Sequence, residues 1–219
     1  MSNIFIITTE YIEIIQLSLY VSIFATLLAF IFSLILSSYL LLNNFYGKGL
    51  ILLLVNSLMS LPPVVVGLFL YITFSNSGIL GFMDLLYSPT VMIIAQFIII
   101  TPIITSLTYK IFENKYNDIN EYMTSLNATK DKLMYTIILE TRFDLVIVSM
   151  TGLGRALSEV GAVIIVGGNI SSISRVMTTS IVLETSRGEI ELAMHLGLSL
   201  IFIAILINIF IFLIRRLYL

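Results

Sequence analysis

Apolar residues fall in long runs along this chain, separated by short polar segments. Five runs, residues 17–42, 50–74, 90–112, 143–166 and 192–214, are each long enough for the ~20 apolar residues that a bilayer-crossing helix needs. The polar connectors are residues 43–49, 75–89, 113–142 and 167–191. Only the third, rich in Lys, Asp, Glu and Asn, reads as a substantial aqueous segment. Residues 4–15 mix apolar positions with Thr8, Thr9, Glu10 and Glu13, which predicts a segment lying along the interface rather than spanning it. The pattern as a whole predicts an all-α membrane protein with about five transmembrane helices in a single domain over residues 1–219.

Composition sharpens this picture by exclusion. Hydrophobic residues make up 58% of the chain and charged residues 11%, against about 25% charged in a soluble domain. Such a surface belongs in lipid, and little chain is left for a globular enzyme domain. A net charge of −2 speaks against a nucleic-acid partner, and the absence of cysteine excludes disulfides, thiolate metal sites and cysteine catalysis. Glu10 and Glu13 interrupt the first apolar stretch and no basic region precedes it, so no cleavable signal peptide is expected. No internal repeat is visible.

Basic residues near helix ends stay in the cytoplasm. With five alternating spans, Lys48, Lys110, Lys115, Lys130, Lys132, Arg142, Arg215 and Arg216 fall on one side. Only Arg175 and Arg187 fall on the other, among Asp84, Glu184, Glu189 and Glu191. The expected topology is therefore N-terminus outside and C-terminus inside, with loop 113–142 in the cytoplasm.

Two spans carry unusual chemistry. The second contains Met59, Ser60, Leu61, Pro62, Pro63 and then Val64 to Gly67. Its prolines remove two backbone donors and crowd the carbonyls of Leu58 and Met59. Lipid offers those carbonyls no partner, so the broken helix belongs beside protein or a water-lined cavity, as at a transporter's substrate path. A lone proline would suggest a packing kink, the reading that fits Pro102. A proline pair beside Asn56, Ser57 and Ser60 favours a pathway. In the fourth span, Arg155 and Glu159 are four residues apart and share a helical face. Each charge at mid-bilayer costs about 2.5–3.5 kcal/mol on insertion scales, so the pair is either functional or a neutralised lock between helices. Gly154, Ser158, Gly161 and Ala162 form a small-residue stripe suited to close helix approach.

The cytoplasmic loop reads as two short helices, 118–126 and 130–139, hinged at Asn127, Ala128 and Thr129. Asn tolerates left-handed backbone, and Thr129 can cap the second helix with Asp131 in its first turn. A compact charged loop suggests a docking handle; the alternative is a solvated connector, for which about 30 residues is long. In the outer connector, residues 176–184 are apolar enough to form a short helix dipping toward the pore. His195, the single histidine, reads as structural.

These residues resemble a known family. The loop is similar to the "EAA" segment of ABC importer permeases, in which Glu-Ala-Ala is followed by Gly and then Ile-x-Leu-Pro. Here the matching positions are Glu121-Tyr122-Met123, Asn127 and Ile137-Ile138-Leu139-Glu140. Residues Leu61 to Gly67 and Arg155 to Ala162 resemble the molybdate, sulfate and tungstate permeases. The run Ser158 to Ala162, followed by Val166-Gly167-Gly168-Asn169 and Met177-Thr178-Thr179, is most similar to the tungstate branch. The resemblance covers residues 17 to 219. It implies the permease subunit of an ATP-driven oxyanion importer in the bacterial cell membrane, embedded in membrane lipid. Tungstate would be the cargo, with molybdate or sulfate as alternatives.

Expected partners are a second copy forming a homodimer, a cytoplasmic ABC ATPase dimer and an extracytoplasmic oxyanion-binding protein. Two nucleotide sites need two docking loops, and one chain supplies one. The chain itself has no GxxxxGK[ST] phosphate loop, and no catalytic residue, cofactor or metal is expected. Candidate coupling residues are Glu121, Asn127, Ala128, Thr129 and Lys130. Candidate pathway residues are Met59, Ser60, Pro62, Pro63, Arg155 and Glu159. An intramembrane enzyme would need a nucleophile–base pair or a metal cluster, which these residues do not offer. An ATP-independent carrier leaves the cytoplasmic loop unexplained.

Overall fold

The computed structural model describes the backbone of residues 2–218, with the side chains of residues 2–9, 215, 217 and 218 left out of account. Among the described residues there are nine α-helices and no strand. Three are long and apolar enough to cross a membrane alone: α1 (Ser2–Leu42), α4 (Pro89–Ser125) and α9 (Ile190–Tyr218). The second span is a bent pair, α2 (Lys48–Leu58) and α3 (Pro63–Phe74), turned by 100°. The fourth is also a pair, α6 (Arg142–Leu157) and α7 (Gly161–Gly167), turned by 59°. A cytoplasmic helix, α5 (Lys130–Glu140), and an outer one, α8 (Met177–Arg187), complete the set.

The bundle is organised around α1 and α4. Along α1 the buried face reads Ser18, Ser22, Ala25, Ala29, Ser33, Ser37, small residues that let helix backbones approach where hydrophobic contrast with lipid is absent. The Ser33 hydroxyl lies 2.8 Å from that of Thr105, and Ser37 donates to the Thr105 carbonyl at 3.2 Å. Val91, Met92, Ala95, Ile99, Ile100 and Ile104 of α4 pack with Val148, Ala156, Ala162, Val163 and Val166 to fill the centre. Helix α9 touches the rest through Leu196 and its neighbours on one side, leaving Phe202, Leu206, Phe210 and Leu213 outward.

The two ends of the bundle are chemically distinct. At one, the Lys130 ammonium donates to the Leu42 carbonyl at 3.1 Å, joining α5 to the end of α1. At the other, Arg175 pairs with Glu10 at 2.8 Å. The basic and acidic connectors sorted by sequence thus lie at opposite ends of one helix.

Three expectations are corrected. Residues 4–15 are no separate interfacial segment but the uninterrupted start of α1. At 1.5 Å per residue a helix of 41 residues is about 60 Å long, well beyond the ~30 Å hydrocarbon core. The expected helix 118–126 is likewise the continuation of α4, because residues 113–125 contain neither Gly nor Pro to stop it. The fourth span, read as one helix carrying Arg155 and Glu159 near its middle, is instead broken at Ser158–Val160, so Glu159 sits in the break.

Candidate functional site

The second-span break is built by its prolines. Pro63 occupies the first turn of α3, where a missing N–H costs nothing, and Pro62 before it takes an extended backbone (φ −64°, ψ 121°). The end of α2 tightens before them: Met59, Ser60 and Leu61 donate to the carbonyls of Asn56, Ser57 and Leu58 at 3.1–3.3 Å. Leu58 O, expected to be stranded, therefore finds a partner three residues on. Met59, Ser60 and Pro62 are exposed and Pro63 is half-buried.

The fourth-span break is held by polar contacts instead of prolines. Gln96 Nε2 donates to the Ala156 carbonyl at 3.0 Å, and Thr178 Oγ1 donates to the Glu159 carbonyl at 2.9 Å. The buried Glu159 carboxylate accepts from Arg155 Nη1 at 2.8 Å and from the Ala162 N–H at 3.2 Å. One side chain thus stabilises the start of α7 while neutralising a cation. Exposure divides the ion pair unequally: Glu159 is 4% exposed and Arg155 35%. The carboxylate belongs to the fold, and the guanidinium presents its remaining donors to the open face.

The two breaks are neighbours. A Cβ built on Gly161 would lie 2.8 Å from the Val64 side chain and 3.5 Å from Val64 N; one on Gly67 would lie 2.8 Å from Ala162 Cα. Only glycine allows α3 and α7 to touch there. Of the small-residue stripe, Gly161 and Ala162 make this contact. A Cβ built on Gly154, however, would meet nothing within 4 Å and Ser158 is exposed, so among the described residues no helix packs closely on that half of the stripe. The six candidate pathway residues therefore collect at two adjoining breaks. A cluster of hydroxyls, backbone ends and a partly neutralised guanidinium can hold a dianion loosely, where a bare cation would retain it.

The cytoplasmic knob follows its sequence signals closely. Asn127 has φ +52°, turning the chain between α4 and α5, and Thr129 caps α5 by accepting the Lys132 N–H at 3.4 Å. Phe112, Leu133, Met134, Ile137 and Leu145 form a small core that fixes α5 against the bundle. Glu121, Asn127, Thr129 and Lys130 are exposed and Ala128 is half-buried. Tyr122 and Leu126, 67% and 59% exposed, add an apolar patch of the kind that marks an interaction site. Tyr122 stands where the EAA segment has Ala, and its outward position explains how a large ring fits there. Glu140, in place of the segment's Pro, bridges to Lys115 at 2.8 Å; the hydrogen-bonded ammonium holds its carboxyl below the usual carboxylate range.

A third constellation was legible only as a family signature. Residues 166–169 and 177–179 fold together: Gly168, at φ +67°, lies against the Tyr87 ring, and the Thr179 hydroxyl is 2.9 Å from Asn169 Oδ1. The Met177 N–H donates to Ser18 at 2.7 Å, pinning α8 to α1. Gln96 and Ser18, isolated polar residues in apolar runs, were the available signals. His195 is exposed at the outer part of α9, 4.0 Å from Glu191, and no His/Asp/Glu cluster able to hold a metal exists among the described residues.

Comparison with known proteins agrees with this arrangement. The tungstate uptake system permease protein TupB of Peptoclostridium acidaminophilum is 44% identical over 195 residues, covering 89% of this chain and 86% of that protein. An anion ABC transporter permease protein of Haloferax volcanii is 33% identical over 91% of this chain and 88% of its own length. TupB of Campylobacter jejuni is 39% identical over 75% and 69%, respectively. No family model matches the chain.

Proposed function

Because the chain belongs to the family of membrane permease subunits of ABC anion-uptake systems, we propose that it carries tungstate inward across the bacterial cytoplasmic membrane. It is a multi-pass transport subunit and not an enzyme. ATP hydrolysis falls to a cytoplasmic ABC ATPase dimer, and an extracytoplasmic binding protein delivers the anion. Two copies of the chain form the pathway as a homodimer. Each contributes the Met59–Pro63 and Ser158–Val160 breaks, where exposed Ser60 and Ser158 interrupt a largely apolar surface.

The observation that carries this reading is the meeting of two broken spans beside a half-exposed, half-neutralised Arg155. Polar groups at that depth are costly in lipid and acceptable along a water-lined path. Ser60, Arg155 and backbone N–H groups at the breaks receive the anion, and Glu159 tempers the positive charge. Below, Glu121 and the Asn127–Lys130 turn dock in the ATPase. Closure of the ATPase draws the two knobs together and rocks the spans between inward-open and outward-open states.

The test is reconstitution of permease, ATPase and binding protein in vesicles, with tungstate uptake measured against competing molybdate and sulfate. Ser60→Ala and Arg155→Met should lower uptake while the complex still assembles, and Glu121→Lys should abolish stimulated ATP hydrolysis. Full uptake by both pathway variants would remove those residues from the route. Uptake of molybdate or sulfate in preference to tungstate would reassign the cargo.

A further inference from the structure

Between α2 and α4, at the end of the bundle that carries α5, lies a cleft of about 430 Å³. Its walls include Asn56, Ser106, Tyr109, Lys110 and Glu113. Asn56 is on the same helix as the second-span break, about one turn from Ser60. The Ser106 hydroxyl donates to Asn56 Oδ1 at 2.7 Å, which fixes the amide and leaves its NH₂ free to donate. The Tyr109 hydroxyl donates to Glu113 Oε1 at 3.1 Å, occupying part of the single carboxylate in the cleft. Lys110 makes no ion pair among the described residues. The Lys48 ammonium stands 5.8 Å from the Tyr109 ring, adding a second cation at the rim.

We propose that this cleft is a transit site where the tetrahedral oxyanion pauses after leaving the second-span break and before entering the cytoplasm. The proposal rests on the transport reading above and extends it to the release step. Free donors face the cleft, from the Asn56 amide and the Lys110 ammonium, while Asn56 Oδ1 and one of the two Glu113 oxygens are already engaged as acceptors. That suits an oxyanion and does not suit a metal cation. Two lysines against one carboxylate leave a net charge of about +1, enough to attract a dianion and too little to trap it. Conduction requires sites of that intermediate strength. Asn56 and Ser106 are hydrogen-bonding groups on a wall that lipid would desolvate at a cost of several kcal/mol, so the cleft is wet.

Because the chain has no cysteine, single-cysteine variants report on this site cleanly. Asn56→Cys and Ser106→Cys, in the assembled complex with its ATPase, are exposed at the cytoplasmic face to a sulfonate-bearing methanethiosulfonate and to a neutral analogue. Labelling of the permease is read by mass. Both cysteines should react, the anionic reagent faster than the neutral one, and tungstate should slow the reaction. Adding Lys110→Met should reduce the anionic rate by about fourfold, the enrichment that one charge about 5 Å away gives a monoanion in water, and leave the neutral rate unchanged. No reaction from that face, or reaction with neither charge preference nor tungstate protection, overturns the proposal. Protection that requires phosphatidylglycerol in the vesicles and ignores tungstate assigns the cleft to a lipid phosphate and also overturns it. Tungstate uptake by the wild-type complex in the same preparation tests the underlying reading. Uptake without protection removes this site alone, whereas absence of uptake removes the transport reading itself.

Discussion

Replacing Gly67 by alanine tests whether the two breaks are held together by backbone contact. The added Cβ would sit 2.8 Å from Ala162 Cα and 3.1 Å from its carbonyl oxygen. Carbon atoms in contact prefer about 3.5–4.0 Å, so α3 and α7 must separate by roughly 0.7 Å or more at that point. The two nearest obstructing atoms are main chain, and the third, Ile165 Cβ at 3.3 Å, is fixed to it, so no rotamer change can relieve them. Overpacking of this kind costs about 1–3 kcal/mol, a sizeable part of a typical net stability of about 5–15 kcal/mol. Thermal unfolding followed by helical circular dichroism should show a lower midpoint, by about 2–4 °C per kcal/mol for a chain of this length. Tungstate uptake should fall further than stability if the two breaks form the proposed pathway, because the separation lies between them. Gly154→Ala is the matched control: nothing stands within 4 Å of its added Cβ, so its midpoint should not drop. A Gly67→Ala protein that melts with the wild type, or a Gly154→Ala protein that is the more damaged, would refute the packing argument.

Glu159→Gln keeps an acceptor for the Ala162 N–H but leaves Arg155 unpaired. The loss should be less than the ~3–5 kcal/mol of a fully buried broken pair, since Arg155 is 35% exposed. Adding Arg155→Met should restore the thermal midpoint without restoring uptake; recovery of both would mean the pair is only a lock. Asn127→Val forces a β-branched residue into φ +52°, at a cost of about 1–2 kcal/mol. Stimulated ATPase activity should fall and that of Asn127→Gly should not, as the two hydrolysis rates will show. Because Lys115 lowers the Glu140 carboxyl, their contact is present above the ordinary carboxylate range and fades as pH falls through the lowered value. Lys115→Met should move the Glu140 titration, followed by NMR, back up to the ordinary range.

What the sequence made legible and what it hid divide along the range of the forces involved. Span positions, the proline break, the left-handed Asn127 and the Thr129 cap are local, set by residues within a turn of one another, and all were readable. The break at Ser158–Val160 was not, because no proline lies in it and Gly161 beside it reads equally well as a close-packing residue: it depends on Gln96 and Thr178, remote in sequence, to satisfy the Ala156 and Glu159 carbonyls. The small-residue face of α1 was also hidden, since its serines and alanines look unremarkable until α4 lies against them. Likewise the pairing of Gly67 with Ala162 belongs to two helices far apart in the chain. The boundary at residue 113 misled for a different reason. Polarity changes there from lipid-like to water-like, but helix propensity does not.

That last point gives α4 a mechanical property. From Pro102 to Ser125 it is one stiff arm of about 35 Å, and from Pro102 back to Pro89 another of about 20 Å. With the buried proline as fulcrum, a push of about 5 Å at the lower tip tilts the rod by roughly 8° and swings the upper tip about 3 Å the opposite way. Spin labels at the two tips should therefore move in antiphase during the ATPase cycle; movement of the lower one alone would mean the rod bends instead of pivoting.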